Sequence, residues 1–244
     1  MSGAEPGTRR GSRALLGIVT QVCRVAELHL DDGPDGVTAI DKRPVDGPVQ
    51  VGATGLRGDV QVSRKHHGGP DKALYALDQA EADHWAAELG REVEPGLFGE
   101  NLRVAGMVDD AEIGERWRVG ETLEVEVTGP RSPCATFAQW LGQDGWVKRY
   151  AQRGRPGVYL RVLVAGSVEA GAAISVLHRP GHGVSVARWF GASDPTDAGV
   201  LLAAEAAGTL SLAEYLRPYV LRAAGREAAA EPSGTTSGTT RSDA

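Results

Sequence analysis

The clearest alternation of apolar and polar positions in this chain is Leu123-Glu124-Val125-Glu126-Val127. Such a period-two run predicts a half-buried strand, with Leu123, Val125 and Val127 on one face and the glutamates on the other. Short apolar runs of the same kind predict strands over Leu16 to Val25, Val37 to Ile40, Val49 to Val51, Val60 to Val62 and Ile113 to Val119. The dense turn formers Asp31 to Gly36 punctuate the first two. Val158 to Val164 reads as a nearly continuous buried strand, turned at Gly166 and paired with Ile174 to Leu177.

Helical periodicity is confined to a few places. Ala80 to Leu89 carries an apolar stripe of Ala82, Trp85, Ala86 and Leu89, with Asp78 and Glu81 as a capping box and Gly90 as the stop; His84 lies off the stripe. Ala135 to Tyr150 reads as helix interrupted at Gly142 and Gly145. After Leu177 the strand pattern ends. Pro180-Gly181-His182-Gly183 forms a linker, and three helical pieces follow near Val184 to Phe190, Asp197 to Ala207 and Leu212 to Ala224. The last has a Ser211 and Glu214 capping box, and Pro218 inside it predicts a kink. Three such helices are too small to hold a core alone, so they should pack on the strand-rich part or on a second subunit, which allows a homodimer.

The composition supports a turn-rich, mainly β fold: Gly 33 and Pro 13 are scattered without a period, and aromatic residues make up 5%. The organisation expected is a tail over 1–13, a strand-rich domain over 14–179, a three-helix unit over 180–226 and a polar tail over 227–244 that cannot offset its own ordering entropy. A net charge of -6 argues against stable nucleic-acid binding. Two cysteines, Cys23 and Cys134, cannot make a disulfide framework or an all-cysteine metal site. No run has the roughly 18 apolar residues of a membrane span, and the Arg9 to Val19 region lacks a cleavage pattern, so a cytoplasmic location is expected.

Chemistry concentrates in three segments. Pro130-Arg131-Ser132-Pro133-Cys134 follows the alternating strand, and its two prolines stop the ladder and stiffen the loop that presents the Cys134 thiol. Arg131, and a helix starting near Ala135, would each favour the thiolate, whereas the plain structural alternative is a packed, inert cysteine. The segment Gly55 to Tyr75 sets Asp59, Arg64, Lys65, His66, His67 and Lys72 on a glycine-rich backbone, as ligand loops do, and Gly68-Gly69 allows close approach of a ligand. Adjacent histidines point apart, so His66 and His67 are not read as a metal clamp. In Gly96 to Leu102, Glu100 and Asn101 either fix a polar ligand or bond the backbone of a tight turn.

Several of these stretches together resemble the MOSC domain family, named for the C-terminal domain of molybdenum cofactor sulfurases, in its stand-alone YiiM-like branch. The residues that carry the resemblance are Ala39-Ile40 with Lys42, Gly55-Leu56-x-Gly58-Asp59, His67 to Ala73, Phe98 to Leu102, Pro130-Arg131-x-Pro133-Cys134, and Gly157-x-Tyr159-x-Arg161-Val162. They run in order from about Thr38 to Arg222, and the terminal helices resemble the three-helix domain of that branch. The resemblance implies a closed, mostly antiparallel β-barrel with the cysteine at the pocket as principal functional group. It also implies a molybdenum cofactor, with Cys134 ligating the metal, Arg131, Lys72, Lys42 and backbone amides such as Gly68 and Gly69 meeting the pterin phosphate, and Asp59, Asn101 and Glu100 orienting the pterin or shaping the loop. His67 is the candidate proton donor for reduction of N-hydroxylated small molecules or base analogues, which needs an electron donor. The alternative implied is a sulfur carrier with a persulfide on Cys134, fed by a sulfur donor. No pyridoxal phosphate site of its own is expected.

Overall fold

The computed structural model describes residues 14–33, 35–62 and 68–230. His67, and most of what the sequence marks as terminal tails, lie outside the described residues. The strands are β1 (Leu15–Val25), β2 (His29–Leu30), β3 (Val37–Thr38), β4 (Lys42–Pro44), β5 (Val49–Gly52), β6 (Gly55–Leu56), β7 (Leu74–Asp78), β8 (Leu102–Gly106), β9 (Arg116–Val119), β10 (Leu123–Pro130), β11 (Val158–Val164), β12 (Gly166–Val168) and β13 (Ala173–His178). The helices are α1 (Gln79–Leu89), α2 (Ala135–Leu141), α3 (Trp146–Arg153), α4 (Val186–Ala192), α5 (Pro195–Ala206) and α6 (Arg217–Ala230).

Seven strands close a barrel in the order β13-β9-β10-β11-β7-β8-β1, with β1 returning to β13 and β4 extending β1 outside the ring. Neighbours are antiparallel except β7 and β8, which run parallel. The barrel is therefore closed and mostly antiparallel, as expected, with one parallel pair. The helix α1 and the loop after it separate this pair, and a parallel neighbour needs a crossover of that kind. The apolar face of β10 is sealed as the alternation predicts, since Leu123, Val125 and Val127 are buried. Glu126 is buried too, because Arg116 and Arg161 cover it with ion pairs.

Three local expectations fail for identifiable reasons. Ile174 to Leu177 does not pair with β11, because β13 bonds β1 and β9 while β11 bonds β10 and β7. Val60 to Val62 forms no ladder and instead lines a cavity, its backbone course set by the side chain of Gln61. Pro218 does not kink a helix. The last helix begins at Arg217, which puts Pro218 in the first turn, where no intrahelical donor is lost. Glu214 precedes that helix and its backbone N–H donates to Asp71 Oδ2 at 2.8 Å rather than joining a capping box.

α1 starts on Asp78, whose carboxylate accepts from Ala80 N at 3.0 Å, and stops at left-handed Gly90. Glu81 is not the reciprocal cap; it is buried against Arg153 and Arg155. Ser185 and Asp194 cap α4 and α5. The C-terminal helices join the barrel's own core, since Val186, Trp189, Leu201, Leu216 and Val220 belong to one buried cluster with Trp117, Val125 and Leu160. A second, aromatic cluster of Trp85, Phe98, Phe137, Trp146 and Tyr150 fills the space under α1, α2 and α3.

Candidate functional site

The strand β10 delivers the cysteine segment as the alternation and the prolines predict. Pro130 is its last paired residue, opposite Val158, and the ladder stops there. Arg131 N still donates to Gly157 O at 3.3 Å, and α2 begins at Ala135 with Cys134 as its N-terminal flanking residue. Cys134 is half-buried and lines a cavity of about 440 Å³. Arg131, Lys72, Lys42, Asp59 and Asn101 line the same cavity, so the fold gathers residues from five separate stretches. The other cysteine behaves differently. Cys23 is fully buried in β1, and burial pushes its thiol up to about 12.

The cations of the cavity have unlike partners. Lys42 Nζ donates to Asp59 Oδ1 at 2.6 Å, and both side chains are nearly buried. Asp59 also accepts from Val25 N at 2.8 Å and from Asn101 Nδ2 at 2.8 Å. Asn101 is used up in the same way, its Oδ1 accepting from Tyr75 N and its Nδ2 also reaching Cys23 O. Lys42, Asp59 and Asn101 thus form a structural tie between β1, β4, β7 and the loop before β8, and they shape the cavity floor.

Arg131 is buried at 6% exposure, with its guanidinium 3.9 Å from the Phe137 ring centroid and 5.6 Å from that of Tyr75. Among the described residues it has no carboxylate partner, and its Nη1 has no hydrogen-bond partner. Lys72 sits with Nζ 4.2 Å from the Tyr215 ring centroid and 5.3 Å from that of Tyr159. Burial lowers its ammonium to about 8, against a smaller opposing effect of Asp71.

Other expected residues fall elsewhere. Glu100 is fully buried and does not line the cavity: it accepts from Gly96 N at 2.7 Å, Phe98 N at 3.1 Å and Arg103 Nε at 2.9 Å. It is a loop tie, as the turn-bonding alternative had it. Gly68 and Gly69 do not reach the wall either. Gly69 has φ 91, a conformation that suits glycine, and starts the short turn Pro70–Lys72. Gln61 went unnoticed in the sequence; its Oε1 accepts from Gly69 N at 2.9 Å and its Nε2 donates to Lys72 O at 3.0 Å. That clamp sets the approach of Lys72. Tyr75, Phe98 and Tyr159 supply aromatic wall, and the hairpin of β2 and β3 covers one side through Asp31, Asp35 and Val37. Asp31 Oδ2 accepts from Thr136 Oγ1 at 3.1 Å, which ties the hairpin to α2.

Behind the wall, Asp109 is fully buried and its Oδ1 accepts from Gly157 N at 2.8 Å. Burial pushes this carboxyl up to about 7. Glu27, His29 and Asp41 also cluster in a way that could suit a cation, but Arg43 already lies on Asp41, with Nη2 to Oδ2 at 2.7 Å.

Comparison with known proteins gives a consistent result. Residues 63–175 match the family model described as the MOSC domain. YflK of Bacillus subtilis (strain 168) is 37% identical over 156 residues, which covers 64% of this chain and 70% of that protein. A protein named Reductase from Gibberella moniliformis is 35% identical over 152 residues, 61% of this chain but 27% of its own length. The crystal structure of YiiM from Geobacillus stearothermophilus superimposes with a TM-score of 0.67 at 25% identity, covering 85% of this chain and 98% of that one.

Proposed function

The chain belongs to the MOSC domain family, and from that premise we propose that its cavity holds a molybdenum-pterin cofactor through Cys134 and that the protein reduces N-hydroxylated small molecules or base analogues. The observation that carries this reading is Arg131, a buried cation beside the Cys134 loop with no carboxylate partner among the described residues. A buried charge without a counter-ion is costly, so a wall built around one favours an anionic occupant. A cavity of about 440 Å³ lies in the range of small-ligand sites.

The residues fit such a group. The Cys134 sulfur is a soft ligand suited to a thiophilic metal. Arg131 and Lys72 offer charge-assisted donors to an anionic phosphate, while Lys42 is neutralised by Asp59 and shapes the floor. Tyr75, Phe98 and Tyr159 line the cavity with aromatic surface, which would pack on a heterocycle and exclude water from it. When bound, the cofactor would supply two-electron reduction at its metal. His67, outside the described residues, is the candidate donor of the proton with which an N-hydroxyl leaves as water. The similarity to a protein named Reductase supports the oxidoreductase reading.

The test is elemental analysis with pterin fluorescence on protein from a cofactor-competent host. Wild type should carry molybdenum and pterin, and Cys134→Ala should lose both. Wild type isolated intact without metal, but heavier by one sulfur atom on Cys134, would replace this reading with the sulfur-carrier one.

A further inference from the structure

The C-terminal helical unit does not line the cavity itself, but the turn just before α6 packs Tyr215 against Lys72 and Tyr159, which do. We propose that Tyr215 is a positioning residue for Lys72, so that this turn backs the anion-binding end of the cavity from outside the barrel. The inference rests on the reading that the cavity takes an anionic ligand, and it adds a role for a segment outside the barrel.

Several contacts fix the turn on the Lys72 loop and on β11 beside it. The Tyr215 ring lies edge-on to Tyr159, with centroids 5.9 Å apart at 84°, and the Lys72 ammonium rests at 4.2 Å from the Tyr215 centroid. Asp71, next to Lys72, accepts from Glu214 N at 2.8 Å and faces Arg161 Nε at 3.5 Å. Arg161 in turn donates from Nη2 to Ser211 O at 2.8 Å. The strand under the turn leaves room for it only because residue 129 is glycine: a Cβ there would meet the Tyr215 hydroxyl at 2.8 Å and Leu216 Cδ2 at 3.2 Å. Gly129 lies two residues before Arg131 in the segment that leads to Cys134.

The effect on Lys72 follows from what surrounds it. The two ring faces remove water from the ammonium, which disfavours its charge, and their negative faces return part of that cost through cation–π attraction. Among the described residues, the charged or titratable groups near it include Asp71 on its own turn, Tyr159 and Arg161 from β11, Glu214 and Tyr215 from the helical unit, and Arg131 across the cavity lining. Burial keeps Tyr159 and Tyr215 as neutral phenols, with both hydroxyls held above their ordinary range. An ammonium placed this way is poorly hydrated and gains more from an anion than a surface lysine would. It also gives up its proton in the weakly alkaline range, since burial lowers it to about 8.

The experiment uses the full chain from a host unable to make the pterin cofactor, with Tyr215→Phe, Tyr215→Met and Lys72→Met. Trace acetylation across pH reads the Lys72 midpoint, and calorimetric titration with inorganic phosphate at pH 7 reads the anion site. Wild type and Tyr215→Phe should share a low midpoint and bind phosphate. Tyr215→Met should move the midpoint toward that of an ordinary lysine and weaken phosphate about tenfold, and Lys72→Met should abolish binding. A wild-type midpoint and affinity in Tyr215→Met would overturn the inference, as would a wild type that ignores phosphate. Should Tyr215→Met not fold, a Tyr215→Phe protein with the Lys72 profile of a free lysine would overturn it as well. Missing molybdenum in the cofactor-competent host, with the Lys72 results as expected, would sink the cofactor reading and leave this one standing.

Discussion

Lys42 and Arg131 line the same cavity, yet the carboxylates around them are unequally shared. Lys42 has Asp59 at hydrogen-bond distance, and Asp59 is itself held by Val25 N and Asn101. Arg131 has aromatic rings in place of an acid, with Phe137 at 3.9 Å and Tyr75 at 5.6 Å. One cation is internally neutralised and serves the fold. The other keeps its positive field, which a bound anion can use, and two cations in the same cavity therefore carry different functions according to their partners.

The largest effect should come from breaking the paired region. Asp59→Ala leaves Lys42 buried without its carboxylate and frees Val25 N and Asn101, so denaturant unfolding should show a loss of about 3–5 kcal/mol. The unpaired region should respond the other way. Arg131→Met removes a buried charge at similar volume, so the melting temperature should hold or rise while retention of the cofactor, or of phosphate, falls at least tenfold, about 1.4 kcal/mol or more. Equal destabilisation by both substitutions would erase the contrast.

The third effect depends on pH and concerns Asp109, the buried acid that supports the Arg131 wall through Gly157 without pairing with the guanidinium. Its folded-state value of about 7 lies above the ordinary carboxylate range because of burial. The native state therefore holds this proton more tightly than the unfolded chain, and the ionised form costs stability. That contribution is favourable below the ordinary carboxylate range and is lost as pH rises toward 7. Asp109→Asn should flatten this part of the stability-against-pH curve, measured by chemical denaturation between pH 4 and pH 8, about the span of the two values. An unchanged curve would separate Asp109 from the wall's electrostatics.

Much of the site was legible beforehand for local reasons. The Pro-Arg-Ser-Pro-Cys segment fixes its own backbone, and the alternation of β10 points it to the end of a strand, so Cys134 and Arg131 stood out from the residues alone, whereas Lys72 was one of several ionisable groups in a glycine-rich loop and took its candidate role from the family resemblance. Asp59 and Asn101 were identified as site residues, but their partners were not, because Lys42, Val25, Cys23 and Tyr75 come from distant stretches. Glu100 was ambiguous in the sequence between ligand and loop, and Arg103, three residues on, decided for the loop. Gln61 and Tyr215 carried no local signal. An amide in an apolar run and a tyrosine just before the last helix acquire meaning only from what folds against them.

Strand and helix positions, the stiff presentation of one cysteine and the stop at Gly90 are properties of backbone dihedrals and side-chain period, which neighbouring residues set. The parallel β7–β8 pair, the placement of Pro218 in a first turn and the unequal partners of Lys42 and Arg131 depend on contacts across tens of residues. Local chemistry determines which groups are available. Only barrel closure decides which of their charges are cancelled.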